Sequence, residues 1–315
     1  MKRILSPALI ALASLALAHP SRGETRIEKT LRLEPGGEFR LETDLGAVTL
    51  TGGTEDGAHV IITSRRKDLE ELLRFRFEEG SHSVTITAKK RHSLGWFSNL
   101  RDHVQYEIRV PVDTRLAIET SGGGIKVSGT RGQARLETSG GGIDVRNVDG
   151  DLEAHTSGGG IKLRELKGRI RVDTSGGGVE AASIDGPIHA QSSGGSIELE
   201  RVTGDIDAET SGGGIRLIEA GGRVRADTSG GGIQATFARG NSRGGTLETS
   251  GGGIDVALDP SVDLAIEASG NSVKTDLPLR VRGEISRGSL SGELGRGGNT
   301  LKMHTSGGSV RIQGL

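Results

Sequence analysis

The sequence contains no cysteine in 315 residues. That excludes a disulfide framework, a thiolate zinc site, a thiol nucleophile and a lipid anchor on an N-terminal cysteine. Aromatic residues are nearly as scarce. Six of the seven (Phe39, Phe75, Phe77, Trp96, Phe97, Tyr106) precede residue 107, and Phe237 stands alone in the remainder. An interior without rings has to be built from small aliphatic side chains, which suits a thin cross-section rather than a wide globular core. The apolar fraction is only 33%. Neither sign of charge dominates: the formal net charge is −1, so nucleic-acid binding, which needs a clear basic excess, has no electrostatic basis. No apolar run reaches the roughly 20 residues that span a bilayer.

The longest such run, Ile4 to Ala18, follows Lys2 and Arg3 and ends in Ala16-Leu17-Ala18. A charged start, a short apolar stretch and an A-x-A site predict a secretory signal over residues 1–18, cleaved between Ala18 and His19. Its removal leaves a formal charge of −3, because Lys2 and Arg3 go with it. The expectation is an exported chain, periplasmic or at the cell surface, with no integral membrane segment after processing.

Glycine is what the chain has in excess, with 53 residues against a usual share of about 7%. It is distributed by a repeat. Thr-Ser-Gly-Gly-Gly-Ile and its close variants place serines at 121, 139, 157, 175, 193, 211 and 229, every 18 residues; Ser250, Ser269 and Ser306 follow after 21, 19 and 37. Between the corners, apolar and polar residues alternate, as in Ile143-Asp144-Val145-Arg146 and Leu152-Glu153-Ala154-His155. A period of two means strands with one buried face. Aligned coils give inward columns: Ile125, Ile143, Ile161, Val179, Ile197, Ile215 and Ile233, and opposite them Leu152, Ile170, Ile188, Ile206 and Val224. Such periodicity with balanced charge argues against disorder.

Two short strands and two corners fit 18 residues, and stacking the coils in register about 4.8 Å apart lets each cover its neighbour's apolar face. The fold class predicted is all-β: a single-stranded, parallel β-helix-like solenoid. Its body is predicted over residues 118–315, after an N-terminal β-rich cap and one degenerate coil over 19–117, with a short helix near residues 68–77. The 37-residue step containing Leu277-Pro278-Leu279 predicts a loop or hairpin beside the last coils. Glycine is expected at the stacked corners because side chains repeated every ~4.8 Å would stack on themselves and because glycine alone tolerates positive φ cheaply; the Thr-Ser pairs are read as hydroxyl ladders. Outward charges alternate in sign from coil to coil, acidic at Asp144, Asp149, Asp151 and Glu153, basic at Lys162, Arg164, Lys167, Arg169 and Arg171. Such alternation turns like-over-like stacking into cross-strand attraction.

No catalytic or metal site is predicted. Of eight histidines, only His155 and His189 lie in the regular coils, at outward positions without ligand spacing. Gly140 to Val145 and Gly251 to Val256 resemble calcium-binding β-roll repeats. Other coils, however, put Lys126, Lys162, Glu180, Glu198, Arg216 and Gln234 where the aspartate stands, too few oxygen ligands for a calcium ladder. No phosphate-loop, dinucleotide or nucleophile-elbow motif occurs. The expectation is a non-enzyme without cofactors. A carbohydrate-active enzyme on this scaffold would need two acids converging with an arginine in one groove.

The repeats, the entry segment Pro111-Val112-Asp113-Thr114-Arg115-Leu116-Ala117-Ile118-Glu119-Thr120-Ser121, the early Thr43-Asp44-Leu45-Gly46-Ala47-Val48 and the closing Thr305-Ser306-Gly307-Gly308-Ser309-Val310-Arg311-Ile312 together resemble the bacterial β-strand-repeat "putative adhesin" proteins. These are an envelope family of unknown function, and the resemblance covers about residues 24–315. It implies adhesion through an envelope protein or a glycan and brings no catalytic or binding residue with it. A periplasmic accessory of envelope-stress signalling is the alternative.

Overall fold

The computed structural model describes residues 25–54, 56–91, 104–281 and 286–315. The signal and its Ala18–His19 junction lie outside these, as do His92, Trp96, Phe97 and His103.

Nearly every described element is a strand, and the strands form two long sheets of 14 and 15 members. One coil shows the plan. Ile143–Asp149 runs in the first sheet, Leu152–Thr156 in the second, and the chain returns through the Ser-Gly-Gly-Gly corner to Ile161–Lys167. Ile143 pairs in parallel with Ile161, Val145 with Leu163, and Leu152 with Ile170, each 18 residues on. Ile143 is 1% exposed and Ile161 not at all. The solenoid and its apolar columns are therefore as the periodicity demands.

A third inward column is not among those that the alternation predicts. Val148, Leu166, Ile184, Val202 and Ala220 are all buried. Strict alternation would aim residue 147 inward and 148 outward. Asn147, Glu165, Ser183, Arg201 and Glu219 instead take left-handed φ values of 51–59°. That step shifts the phase by one, so residues 146 and 147 both face out and Val148 turns in. A side chain in this region carries strain, offset here by a further buried aliphatic in every coil.

The two glycine columns work differently, each by one of the two reasons the sequence offered. Gly132, Gly150, Gly168 and Gly186 have φ between 126° and 155°, where only glycine is comfortable. None of the triple-glycine corners has a positive φ; there the backbones of successive coils approach too closely for a side chain. Nor do the threonines form hydroxyl ladders. Thr156 Oγ1 donates to the carbonyl of Gly141 in the previous coil (2.7 Å) and accepts from the amide of Gly159 in its own (3.2 Å). Thr174, Ser192 and Thr249 repeat both bonds.

Both ends depart from chain order. The first coil, Glu38–Thr43 with Ala47–Gly53, pairs in parallel with Arg115–Thr120 and Ile125–Ser128. Outside it lie Ser83–Lys90 and Val104–Pro111, later in sequence yet further out, and beyond them the antiparallel strands Leu73–Glu79, Ala58–Ser64 and Thr25–Leu31. At the far end, Thr300–Thr305 and Ser309–Gly314 are wedged between the coils of Gly245–Thr249 and Leu264–Ser269. The expected hairpin is present: Arg280–Val281, directly after Leu277-Pro278-Leu279, pairs antiparallel with Ser289–Leu294. So is the helix, Leu69–Leu72, running straight into Leu73–Glu79. Antiparallel strands at each end interrupt the parallel register, which limits open-ended stacking.

The cap holds the bulky side chains. Phe39 and Tyr106 are fully buried, and the Tyr106 hydroxyl lies 2.8 Å from Thr43 Oγ1. Burial pushes this phenol well above its usual range; the Thr43 hydrogen bond acts the other way, and Asp44 nearby adds to the rise. A raised folded-state value means that the contribution of this group to stability is complete below the unfolded-state pKa of about 10 and is lost as pH climbs above it. Tyr106 is the chain's single tyrosine, so phenolate absorbance reports on it alone. We expect no phenolate in the folded protein at pH 11, and its appearance together with unfolding. A normal phenol titration with circular dichroism unchanged would contradict the burial.

Candidate functional site

Parallel stacking decides which side chains share a surface. Residue i stands over i+18, so outward residues form columns along the rod. On the second sheet, Arg171, His189, Asp207 and Arg225 make one column and Arg169, Pro187, Asp205 and Arg223 the next. Together they line an open groove of about 500 Å³. His189 Nδ1 lies 3.1 Å from Asp207 Oδ2. Arg225 reaches Glu209 at 3.1 Å and Asp207 at 4.0 Å, and Arg171 reaches Asp173 at 3.4 Å. Among the described residues, the guanidinium groups of Arg169 and Arg223 make no hydrogen bond or ion pair; their backbone amides are engaged by Asp151 and Asp205 at 2.9 Å. Asp207 Oδ1 is buried without a hydrogen-bond partner.

A second groove, of about 760 Å³, crosses the first sheet where cap meets body, between Thr49, Glu107, Lys126, Asp144 and Lys162. Asp144 is committed to Arg146 of its own strand at 2.9 Å, not to Lys162 beside it. The predicted alternation of charge is thus partial. Arg135–Glu153 (3.1 Å), Arg164–Glu180 (3.1 Å) and Lys162–Glu180 (3.5 Å) do bridge coils. In the neighbouring column, however, Glu42, Glu119 and Glu137 stack like over like. Exposed pairs of this kind contribute about 0–1 kcal/mol each, so they tune the register and do not hold the rod together.

His155 is exposed and stands in register between Glu137 and Asp173, whereas His189 belongs to the groove. Among the described residues no group of three or more histidines and acids could hold a metal ion, and no helix is long and apolar enough to cross a membrane. The sequence reading named His189, Arg169 and Arg171 as outward residues of the coils and assigned them no binding role. The 18-residue alignment gives the columns, but which stretch of sheet becomes concave depends on twist and side-chain length.

The chain belongs to the family Toastrack DUF4097, whose model matches residues 38–313. Among solved structures it is similar to a "putative adhesin" from Bacteroides fragilis (12% identity, 94% of this chain and 99% of that one, TM-score 0.43). It is also similar to one from Parabacteroides merdae (9%, 92% and 96%, 0.40) and to a "putative cell adhesion protein" from Clostridium sporogenes (11%, 93% and 100%, 0.26). No curated protein matches the chain.

Proposed function

We propose that the chain is an exported, adhesin-like interaction module of the bacterial envelope that holds a glycan, or an envelope protein, along the outward columns of its coils. The supporting observation is the groove on the second sheet, where a rigid ladder presents the unpaired guanidinium groups of Arg169 and Arg223 three coils apart, about 14 Å by the strand spacing. Groups fixed by register lose little entropy on binding, and guanidinium, imidazole and carboxylate groups in one shallow groove suit an extended, polar partner. A glycan array and an envelope-fraction overlay should both be run with wild type and with Arg169→Glu/Arg223→Glu. The expected result is retention by wild type and a loss of about tenfold or more in the double variant, with Lys126→Glu on the other sheet unchanged. No retention of wild type in either format would reject the reading.

One observation favours a second reading. Asp205 and Asp207 stand two residues apart on one face beside Arg223 and Arg225, the convergence a carbohydrate-active enzyme would need. Against it, Asp205 is engaged by the Arg223 amide and Asp207 by His189, and the open sheet does nothing to exclude water from a bound sugar. A reducing-end assay with wild type and Asp207→Asn separates the readings: turnover lost in the variant would establish the enzyme.

A further inference from the structure

Four strand edges end the two sheets, and they are not equivalent. Ser272–Thr275 is covered: Val273 and Gly270 donate to the carbonyls of Arg287 and Gly288 at 2.9 Å. Arg280–Val281 is two residues long. Thr25–Leu31 carries no aromatic residue, and its Lys29 reaches across to lie 5.9 Å from the Phe77 ring centre. The fourth, Leu73–Glu79, is a full seven-residue strand bonded on one side only. From outside its hairpin, the amide of Arg32 reaches the Glu79 carboxylate at 3.3 Å and Lys29 lies over Phe77; neither touches its outward backbone groups.

Which backbone groups face outward follows from the hairpin. Arg91 N donates to Leu72 O and Gly80 N to Ser83 O, so 72↔91 and 80↔83 are hydrogen-bonded pairs in the ladder with Ser83–Lys90. Alternation then turns the amides and carbonyls of Arg74, Arg76 and Glu78 toward that neighbour and leaves those of Leu73, Phe75, Phe77 and Glu79 at the open edge. The side chains also sort into two sets. Arg74, Arg76 and Glu78 are exposed, while Phe75 and Phe77 are half-buried at the end of the core, stacked with centres 6.3 Å apart.

We infer that this edge pairs with the same edge of a second copy, antiparallel about Arg76, forming a twofold dimer that joins two rods end to end. In that register Phe75 opposes the partner copy's Phe77, at positions whose outward backbone groups are those left free. Leu73 opposes Glu79, so all seven residues pair. Arg74 opposes Glu78 of the other copy twice over, at the non-hydrogen-bonded sites where side chains come closest. Among the described residues Arg74 has no partner within one chain, and Glu78, which pairs with Arg76 of its own chain at 2.5 Å, would be shared between that arginine and Arg74 of the other copy. Sliding the register two residues toward Leu73 would set Arg74 against Arg76, which like charge disfavours; sliding it the other way would set Arg76 against Glu78 but leave Leu73 and Arg74 outside the paired strand, so only the alignment about Arg76 pairs all seven residues. The four phenyl rings would extend the aliphatic interior across the junction, closing the one end of the core left half-open.

Sedimentation velocity of the purified chain between about 1 and 200 μM tests this. Wild type should shift from monomer to dimer across the range. Arg74→Glu, which faces Glu78 with a like charge, should raise the dissociation constant about tenfold or more. Arg74→Glu/Glu78→Arg restores opposite charges across the twofold and should restore the dimer. Phe75→Pro, which removes an amide pointing only at the open edge, should abolish it with circular dichroism unchanged. A wild-type monomer at every concentration, or an Arg74→Glu dimer as tight as wild type, would overturn the proposal. Failure of the double exchange to recover would overturn the register.

Discussion

Adding a methyl group at Gly159 is expected to cost about 4 kcal/mol or more and to break the rod at that coil. A Cβ built there lies 2.3 Å from Gly141 O, 2.4 Å from Gly141 C and 2.4 Å from Gly142 N. These are backbone atoms of the adjacent coil, and the ladder spacing that would have to widen is fixed by hydrogen bonds on both flanks. The cost is steric and not conformational, because φ at this residue lies outside the left-handed region. Every middle glycine of the corner shares the problem, with nearest approaches of 2.0–2.4 Å from Gly123 to Gly308. The glycines on either side are less crowded, with nearest approaches from 2.7 Å upward. A Cβ on Gly158 meets nothing nearer than 3.3 Å, and one on Gly160 nothing nearer than 3.1 Å. The protein has already run half of the experiment: Ser196 and Ser309 occupy the third position of their corners, while the middle one is glycine in both. Gly159→Ala, Gly158→Ala and Gly160→Ser should be compared by urea unfolding followed by circular dichroism, with limited proteolysis to find the opened coil. Because each coil contacts only its neighbours, the Gly159 variant should lose two-state behaviour and expose cleavage sites near residues 141–160. A Gly159→Ala midpoint equal to that of Gly158→Ala would show that the stack yields more easily than its geometry implies.

Much of this architecture is written locally, and the parts that are not have a common cause. The columns through Ile143 and Leu152 are legible because one buried face at period two leaves a trace in any single coil, and an 18-residue repeat multiplies it. The column through Val148 breaks that period by one left-handed residue, and Glu165 or Arg201 gives no sign of adopting it; Asn147 alone is a usual occupant. Its apolar residues were visible, but the phase shift that turns them inward was not. The order of coils at the ends is hidden for another reason. Thr300–Thr305 is interchangeable with any other coil by pattern, and its insertion beside Gly245–Thr249 depends on what the distant hairpin covers. The groove around His189 combines both difficulties: its residues are outward positions of ordinary coils, distinguished only by which neighbours pair off and leave Arg169 and Arg223 unpartnered. Charge alternation was read correctly where Arg135 meets Glu153 and too broadly where Glu119 meets Glu137, because two adjacent outward columns carry independent patterns.

Thr156→Val, nearly isosteric, should cost about 2–4 kcal/mol, whereas Thr156→Ser should stay within about 1 kcal/mol. Thr156 is fully buried and its hydroxyl is the only side-chain group at the corner that touches two coils at once. The valine variant leaves the Gly141 carbonyl and the Gly159 amide without this partner in a part-buried corner, and an unmet backbone group there costs up to about 1–3 kcal/mol. Serine keeps both bonds, as Ser192 shows at 2.8 Å and 2.9 Å, and loses one methyl. The amide gripped by Thr156 belongs to the residue whose Cα is pressed against Gly141 and Gly142. Threonine and middle glycine are therefore a single device: the glycine lets the coils approach, and the hydroxyl, donating to one coil and accepting from the next, holds them at that distance. Pairing the two substitutions tests this coupling. If the device is one unit, Thr156→Val in a Gly159→Ala background should cost less than it does alone, by about 1 kcal/mol or more in a double-mutant cycle. Additive losses would make the threonine an independent hydrogen bond and the close approach a property of the glycines by themselves.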